Sequence, residues 1–405
     1  MAKVRVKAKR QDENNIKLRP SSDSTLGDLR KEQEKHQAVR RGNLAIFIAA
    51  VILLVLFLFS ITLFVVPAQS GGTLAGLLML MRAKFDSFLS WVQHGGGGFN
   101  TDLIRYLIII LSGAALASAG CVFQGSFRNI IASPSTMGVQ AGASLGNALY
   151  TFFFVTVVTE TIVIQNETGE IENMSVLELY RQPLCAVAGA LVSVGIVTWL
   201  ASLLGKGSFS GGNILFAGIV FSSFVGAINT LIEYYFMFKD PDDSRWQALR
   251  LFSMGNFEKV VSAEQLGMIS AVLLPSLLVL ILISPKLNVI VMGEDEAATM
   301  GVNVRLYRTL LIVIGTLMAA VVYAFCGAIG FVGFIVPQIC RRFTGPDFRK
   351  LLPMCMIVGG ILLILVYNIA LIFGFALYMN MVTSVIGCGM MIYALFTGRG
   401  GRSYG

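Results

Sequence analysis

Between Arg308 and Arg341 this chain runs 32 residues without a charge, and between Lys350 and Arg399 it runs another 48. A helix that crosses a bilayer needs ~20 apolar residues. Inside lipid only helices and closed barrels satisfy every backbone group. The runs lack the in–out alternation of barrel strands. Charged residues are 13% of the chain where a soluble domain carries about 25%. The chain therefore reads as an all-α, polytopic membrane protein.

Moving from charge to charge, candidate spans fall at 44–66, 103–124, 137–158, 184–205, 213–235 and 265–285. The 32-residue run has cations at both ends, Arg305 and Arg308 before it, Arg341 and Arg342 after it. Cations mark the cytoplasmic side, so the run must go out and return. Gly327, Gly330 and Gly333 offer the break: a full helix to about Ala324, then a shorter return leg, in which Pro337 limits regular helix, ending at Arg341. By the same argument the 48-residue run turns near Gly374 to Asn380. The expectation is ten transmembrane helices with both termini cytoplasmic, which puts 23 cations inside and 8 outside.

This divides the chain into a charged cytoplasmic tail (1–43), a transmembrane domain (44–398) and a short cytoplasmic tail (399–405). An outer loop at 159–183 is acidic, with Glu160, Glu167, Glu170, Glu172 and Glu178 against Arg181; a cytoplasmic segment occupies 286–308. In the outer segment 236–264, a turn at Asp240-Pro241-Asp242-Asp243 precedes an amphipathic stretch. The twelve cations of the N-terminal tail suit anionic membrane lipid rather than nucleic acid. The run Leu44 to Val66 is too long for a cleavable secretory signal. The six cysteines sit in or beside apolar segments and form no CxxC pair, so they read as small buried hydrophobes; no metal site or cofactor is indicated.

Ionisable residues within a membrane mark function, and here they are scarce. Glu233 and Arg105 lie near the outer ends of their spans, and His36 and His94 lie outside the spans. A proton-coupled or metal-conducting pathway wants such groups near the midplane. The chain also lacks GxxxxGK[ST] and so has no P-loop of its own, which makes a separate ATPase partner the natural inference. The small-residue runs Gly113 to Gly120 and Gly138 to Gly146 fit either helix packing or the lining of a pathway.

Three blocks carry a family resemblance. The first is Arg105, Ser112-Gly113-Ala114-Ala115-Leu116-Ala117, Gln124-Gly125, Arg128-Asn129 and Met137 through Gly146. The second is Gly293-Glu294-Asp295-Glu296-Ala297-Ala298-Thr299-Met300-Gly301-Val302-Asn303-Val304. The third is Gly327 through Pro337 with Arg341, Gly345-Pro346-Asp347 and Leu351-Leu352-Pro353. In order, from about 100 to 398, these resemble the permease family of ABC importers for iron-siderophores, haem and cobalamin. The sequence departs from that pattern at Gln338, where the family often has His, at Asn129-Ile130-Ile131, which lacks the Pro after Asn, and at Tyr378-Met379-Asn380-Met381, which lacks an acidic-Pro element.

The resemblance implies a type II ABC importer permease fold in a bacterial cytoplasmic membrane, not an enzyme in itself. It also implies partners: cytoplasmic ABC ATPase subunits, an extracytoplasmic substrate-binding protein, and a second permease, identical or related. An iron-siderophore-type chelate is the expected cargo, with haem or a cobalamin-like molecule as the alternative; an ATP-independent secondary transporter and a membrane scaffold are competing classes. Gly293, Glu294, Asp295, Glu296, Met300, Gly301 and Arg305 are the implied ATPase-coupling residues. The cytoplasmic gate would fall on Asn129, Ile131, Ser210 and Gly211. Arg105 would dock the binding protein, or else simply anchor its helix at the interface.

Overall fold

A computed structural model describes residues 42–57, 98–155, 176–204, 211–241, 243–258, 262–372 and 378–396. These contain helices and no strand. In chain order they are α1 (Gly42–Phe57), α2 (Gly98–Ser126), α3 (Val139–Tyr150) extended by a π turn at Thr151–Val155, and α4 (Val176–Leu204). Then come α5 (Gly211–Lys239), α6 (Ser244–Met254), α7 (Ala263–Met292) and α8 (Glu294–Thr299). The last four are α9 (Val304–Cys326), α10 (Val332–Thr344), α11 (Phe348–Ile372) and α12 (Met379–Phe396).

The centre is α2, which packs against α7, α9, α10 and α11. Its apolar window is 83% buried, whereas that of α7 is 22% buried, so α7 presents most of its Leu and Ile side chains outward. Phe238, Leu231, Leu282 and Val385 are all more than 60% exposed, an arrangement stable only against lipid or another apolar surface. Glycines bring the central helices together. A Cβ on Gly113 would strike the Gly359 carbonyl of α11, and one on Gly120 would strike the Gly333 carbonyl of α10. Gly142 and Gly146 of α3 lie equally close to Gly189 and Cys185 of α4. These positions of the small-residue runs are packing contacts.

Six of the described helices are long and apolar enough to cross a bilayer, those over Thr101–Ser126, Tyr180–Leu204, Gly212–Lys239, Ala263–Met292, Val304–Cys326 and Phe348–Leu371. α1 and α12 hold shorter apolar stretches, Gly42–Phe57 and Met379–Met390. α3 and α10 have 12 and 13 residues, about 20 Å each at ~1.5 Å per residue. The uncharged run after Arg308 is indeed two helices, separated by Gly327 (φ 73°) and Phe331 (φ 63°). Its return leg reaches Thr344, three residues past the expected end.

Helix ends differ from the expected spans because charge is a poor marker of where a helix stops. The last eight residues of the expected outer loop, 176–183, belong to α4, which continues through Pro183. Two hydrogen bonds hold this extension: Gln182 Nε2 donates to Asn147 Oδ1 at 2.6 Å and Tyr180 Oη donates to Glu264 Oε2 at 3.1 Å. α5 runs four residues beyond 235, to Lys239. α7 continues past Pro285 and Lys286 to Met292, where Arg128 Nη2 caps the Ile290 carbonyl at 3.0 Å. Residues 156–175 of the acidic loop and both charged tails lie outside the described residues.

The glycine contacts give a direct test. Gly120→Ala should destabilise the protein by about 1–3 kcal/mol, because the added methyl forces backbone apart. Gly195→Ala on α4, which meets nothing within 4 Å, should be neutral. Thermal unfolding of both variants in detergent should show a loss of several degrees for the first alone.

Candidate functional site

A cavity of about 680 Å³ lies between α3, α5, α6, the α9–α10 turn and α12. On α5 its wall is Ser222, Ser223, Gly226, Asn229, Thr230 and Glu233, spaced so that they form one stripe of the helix. α3 adds Gln140, Ala141 and Ser144, on a face other than the one that Gly142 and Gly146 press against α4. Asn229 Nδ2 donates to Ser144 Oγ at 2.9 Å, tying the two walls. Gln140 Oε1, Ser222 Oγ and Asn229 Oδ1 are buried without a hydrogen-bond partner among the described residues. Such atoms favour a wet cavity or a solute that hydrogen-bonds to them. Phe216, Phe224 and Leu231 of α5 and Met381 and Val385 of α12 are exposed, giving both helices apolar surface as well as a polar wall.

At one end the cavity is bordered by α6. Asp243 caps this helix, accepting from Arg245 N at 2.9 Å and from Arg245 Nε at 2.7 Å. The hydrogen bond from the Arg245 side chain holds the Asp243 carboxyl below the usual carboxylate range. From α6, Arg250, Ser253 and Met254 reach the cavity.

The expected docking cation, Arg105, stands in a different cluster. Its side chain is 14% exposed and pairs with Asp102 Oδ1 at 3.2 Å and Glu258 Oε2 at 3.3 Å. Tyr367 Oη donates to Glu258 Oε1 at 2.6 Å, and Tyr106 Oη donates to Asn368 Oδ1 at 3.0 Å. The rings of Tyr106 and Tyr367 meet edge to face, centroids 5.7 Å apart. This web ties α2, the segment after α6 and α11 together.

At the opposite end of α2, Asn129 Oδ1 accepts from Ile131 N at 3.0 Å, turning the chain between α2 and α3 and leaving Ile131 exposed. α5 approaches this turn at Gly218, where a Cβ would strike the Thr136 carbonyl. Of the other expected gate residues, Gly211 opens α5 and Ser210 lies outside the described residues.

The expected coupling residues form α8 and its flanks. Ala297 N donates to the Gly293 carbonyl and Val302 N to the Ala297 carbonyl, and both Ala297 and Val302 are buried. They fasten α8 to the bundle while Met300 and Arg305 stay exposed. Gly301, at φ 71°, turns the chain into α9, where Asn303 Oδ1 accepts from Leu306 N at 3.1 Å. The side chains of Glu294 and Asp295 lie outside the described set. Nearby, Asn288 Nδ2 donates to Asp347 Oδ1 at 2.7 Å and Phe348 N donates to Asn288 Oδ1 at 2.9 Å, joining α7 to the start of α11.

The sequence reading named Glu233 but missed Gln140, Ser222, Asn229 and Asn380 as members of one wall. The available signal was the polar stripe along an otherwise apolar α5. It marks a lined face without saying what stands opposite.

Residues 52–397 match the FecCD transport family. The hemin transport system permease protein HmuU of Yersinia pestis is 28% identical over 306 residues, which is 75% of this chain and 84% of that protein. The vitamin B12 import system permease protein BtuC of Salmonella typhi is 31% identical over 309 residues, 75% of this chain and 86% of the relative. A solved structure described as a metal-chelate type ABC transporter in an inward-facing conformation shares the fold, with a TM-score of 0.66 at 23% identity, over 88% of this chain and 99% of that one.

Proposed function

This chain belongs to the FecCD transport family, and from that premise we propose that it moves an iron-siderophore-type chelate inward through the hydroxyl-lined cavity. The protein is a multi-pass membrane permease of the ABC importer kind. The observation that carries the reading is the cavity itself. About 680 Å³ of space is walled by Ser, Thr, Asn and Gln, with buried polar atoms left to bond a solute. Glu233 and Arg250 contribute one charge of each sign, so the path selects by hydrogen bonding more than by charge. A haem or cobalamin-like cargo is the second reading, favoured by the relatives named for hemin and vitamin B12.

In this reading two permeases pair, and the exposed apolar surfaces of α5 and α12 are the complementary faces. Cytoplasmic ATPases dock on α8 and an extracytoplasmic binding protein delivers the cargo. Closure of the ATPases moves α8, and its buried anchors Ala297 and Val302 pass that motion to α7 and α9 as rigid elements. The chain makes ten crossings, α3, α10, α1 and α12 serving alongside the six long helices, and both termini face the cytoplasm.

Three outcomes check this. Gly226 has nothing within 4 Å of an added Cβ and borders the cavity, so Gly226→Trp projects into the path. ATP-driven uptake by reconstituted vesicles should fall more than tenfold while the ATPase still co-purifies; undiminished uptake rules the cavity out as the path. Replacing both Glu294 and Glu296 by Lys should leave the protein inserted but uncouple transport from ATP hydrolysis. Normal ATP-driven uptake in that double variant would remove the coupling role. Finally, a single cysteine at Thr344, in a background stripped of native cysteines, should resist a membrane-impermeant thiol reagent in intact, wall-stripped cells. Its labelling would invert the second half of the topology.

A further inference from the structure

The last carbonyls of α6 run short of partners within their own helix, as at any helix end, the C-cap Gly255 N reaching only the Phe252 carbonyl at 3.3 Å. Here they are capped from two other elements. Ala328 N, in the α9–α10 turn, donates to the Phe252 carbonyl at 2.9 Å, and Asn380 Nδ2, in the first turn of α12, donates to the Ser253 carbonyl at 3.1 Å. Just beyond the helix, Met379 N donates to the Gly255 carbonyl at 3.2 Å and Asn256 N to the Cys326 carbonyl at 2.7 Å. The second atom of the Asn380 amide, Oδ1, accepts from Gly330 N at 2.9 Å. One side chain thus joins three elements that all border the cavity: α6, the glycine turn and α12.

The surroundings leave this joint little freedom. Gly255 has φ 73°, and a Cβ there would strike the Ala328 carbonyl. A Cβ on Gly387, two turns further along α12, would strike the ring of Phe331. Phe331 is itself held at φ 63°, a conformation costly for a bulky residue and kept only where its neighbours enforce it. The turn and α12 are therefore gripped at two heights, by the Asn380 amide above and the Phe331 ring below.

We propose that Asn380 is a positioning residue that clasps α6, the 327–331 turn and α12 into one unit closing the outer end of the cavity, and that cargo enters when this clasp releases. The inference rests on the cavity being the cargo path. Outward opening is then a movement of α6 away from the cavity mouth, and its other attachments are backbone bonds to the turn and to Met379. The Asn380 bonds are the ones a side-chain rotation can break without unfolding anything. Asn380 stands in the segment where this chain departs from the pattern it otherwise resembles.

The test uses the complete transporter in intact, wall-stripped cells, in a background without native cysteines. A cysteine replaces Ser222, which lines the cavity about 16 Å deeper than Glu233 along α5, at ~1.5 Å per residue. Asn380→Ala removes both amide bonds. Gly330→Ala instead puts a methyl 2.9 Å from Asn380 Oδ1 and displaces the amide without touching Ser253. The rate of labelling from outside by an impermeant thiol reagent should rise about tenfold in Asn380→Ala, the order expected for losing one or two net hydrogen bonds, and less in Gly330→Ala. A parallel background retaining only Cys340, buried in the core, should stay unlabelled when the same variants are tested in detergent. Unchanged labelling at Ser222→Cys in both variants overturns the clasp. So does a matching rise at Cys340, which would mean general loosening of the bundle. No cargo is needed for this readout, so failure of the clasp is distinct from failure of the path, which the Gly226→Trp uptake measurement reads.

Discussion

Gly113 faces Gly359 and Gly120 faces Gly333 so closely that the backbones of α2, α11 and α10 are in contact without an intervening side chain. Lipid offers little hydrophobic drive for one apolar helix to prefer another over acyl chains, so association must come from close packing and from polar bonds between helices. The glycines of α2 supply the first. Because α2 is held this way on two sides, α10 can be short: its 13 residues are gripped by α2 and α11. The turn before it is then fixed, and so is the face of the cavity that Gly330 and Phe331 form.

Polar groups are distributed by a second rule. In a low-dielectric interior a lone buried charge is costly, and removing one partner from a buried pair costs several kcal/mol. Several of the described charges accordingly stand at the ends of the bundle, in bonded sets. At one end, Arg105, Asp102, Glu258 and Tyr367 tie α2 to α11 and to the segment after α6. At the other, Arg128 caps α7, and Asn288 with Asp347 joins α7 to α11. The cavity wall between them is polar mostly through uncharged Ser, Thr, Asn and Gln side chains. The Asn380 joint belongs to the same logic, because it satisfies carbonyls that α6 cannot satisfy itself and does so with a side chain able to let go.

The span reading rested on where charges stop, and it located the helices well but not their ends. α4 starts eight residues early and α7 ends seven residues late, because a helix that leaves the membrane stays helical wherever neighbours bond it. Gln182 to Asn147 and Arg128 to Ile290 are such bonds, and both partners are distant in sequence. The amphipathic stretch after Asp243 was visible as a composition and proved to be α6. Its position over the cavity was not visible, since that depends on carbonyls meeting the 326–330 turn and Asn380.

For Arg105 the sequence offered a cation at an outer helix start and two roles for it. The fold pairs it with Glu258, 153 residues away. For the small-residue runs it offered packing or lining, and on α3 both turned out to coexist, Gly142 and Gly146 against α4, Gln140 and Ser144 toward the cavity. What the sequence determined by itself was the solvent: apolar runs of this length with so little charge admit a helical membrane bundle, and the cations at both ends of the 32-residue run call for a turn that its glycines can supply. What only the tertiary structure decided was which polar residues share a wall and which glycines share a contact. Helical periodicity assigns a residue to a face, but the element opposite that face is set by packing across more than a hundred residues of chain.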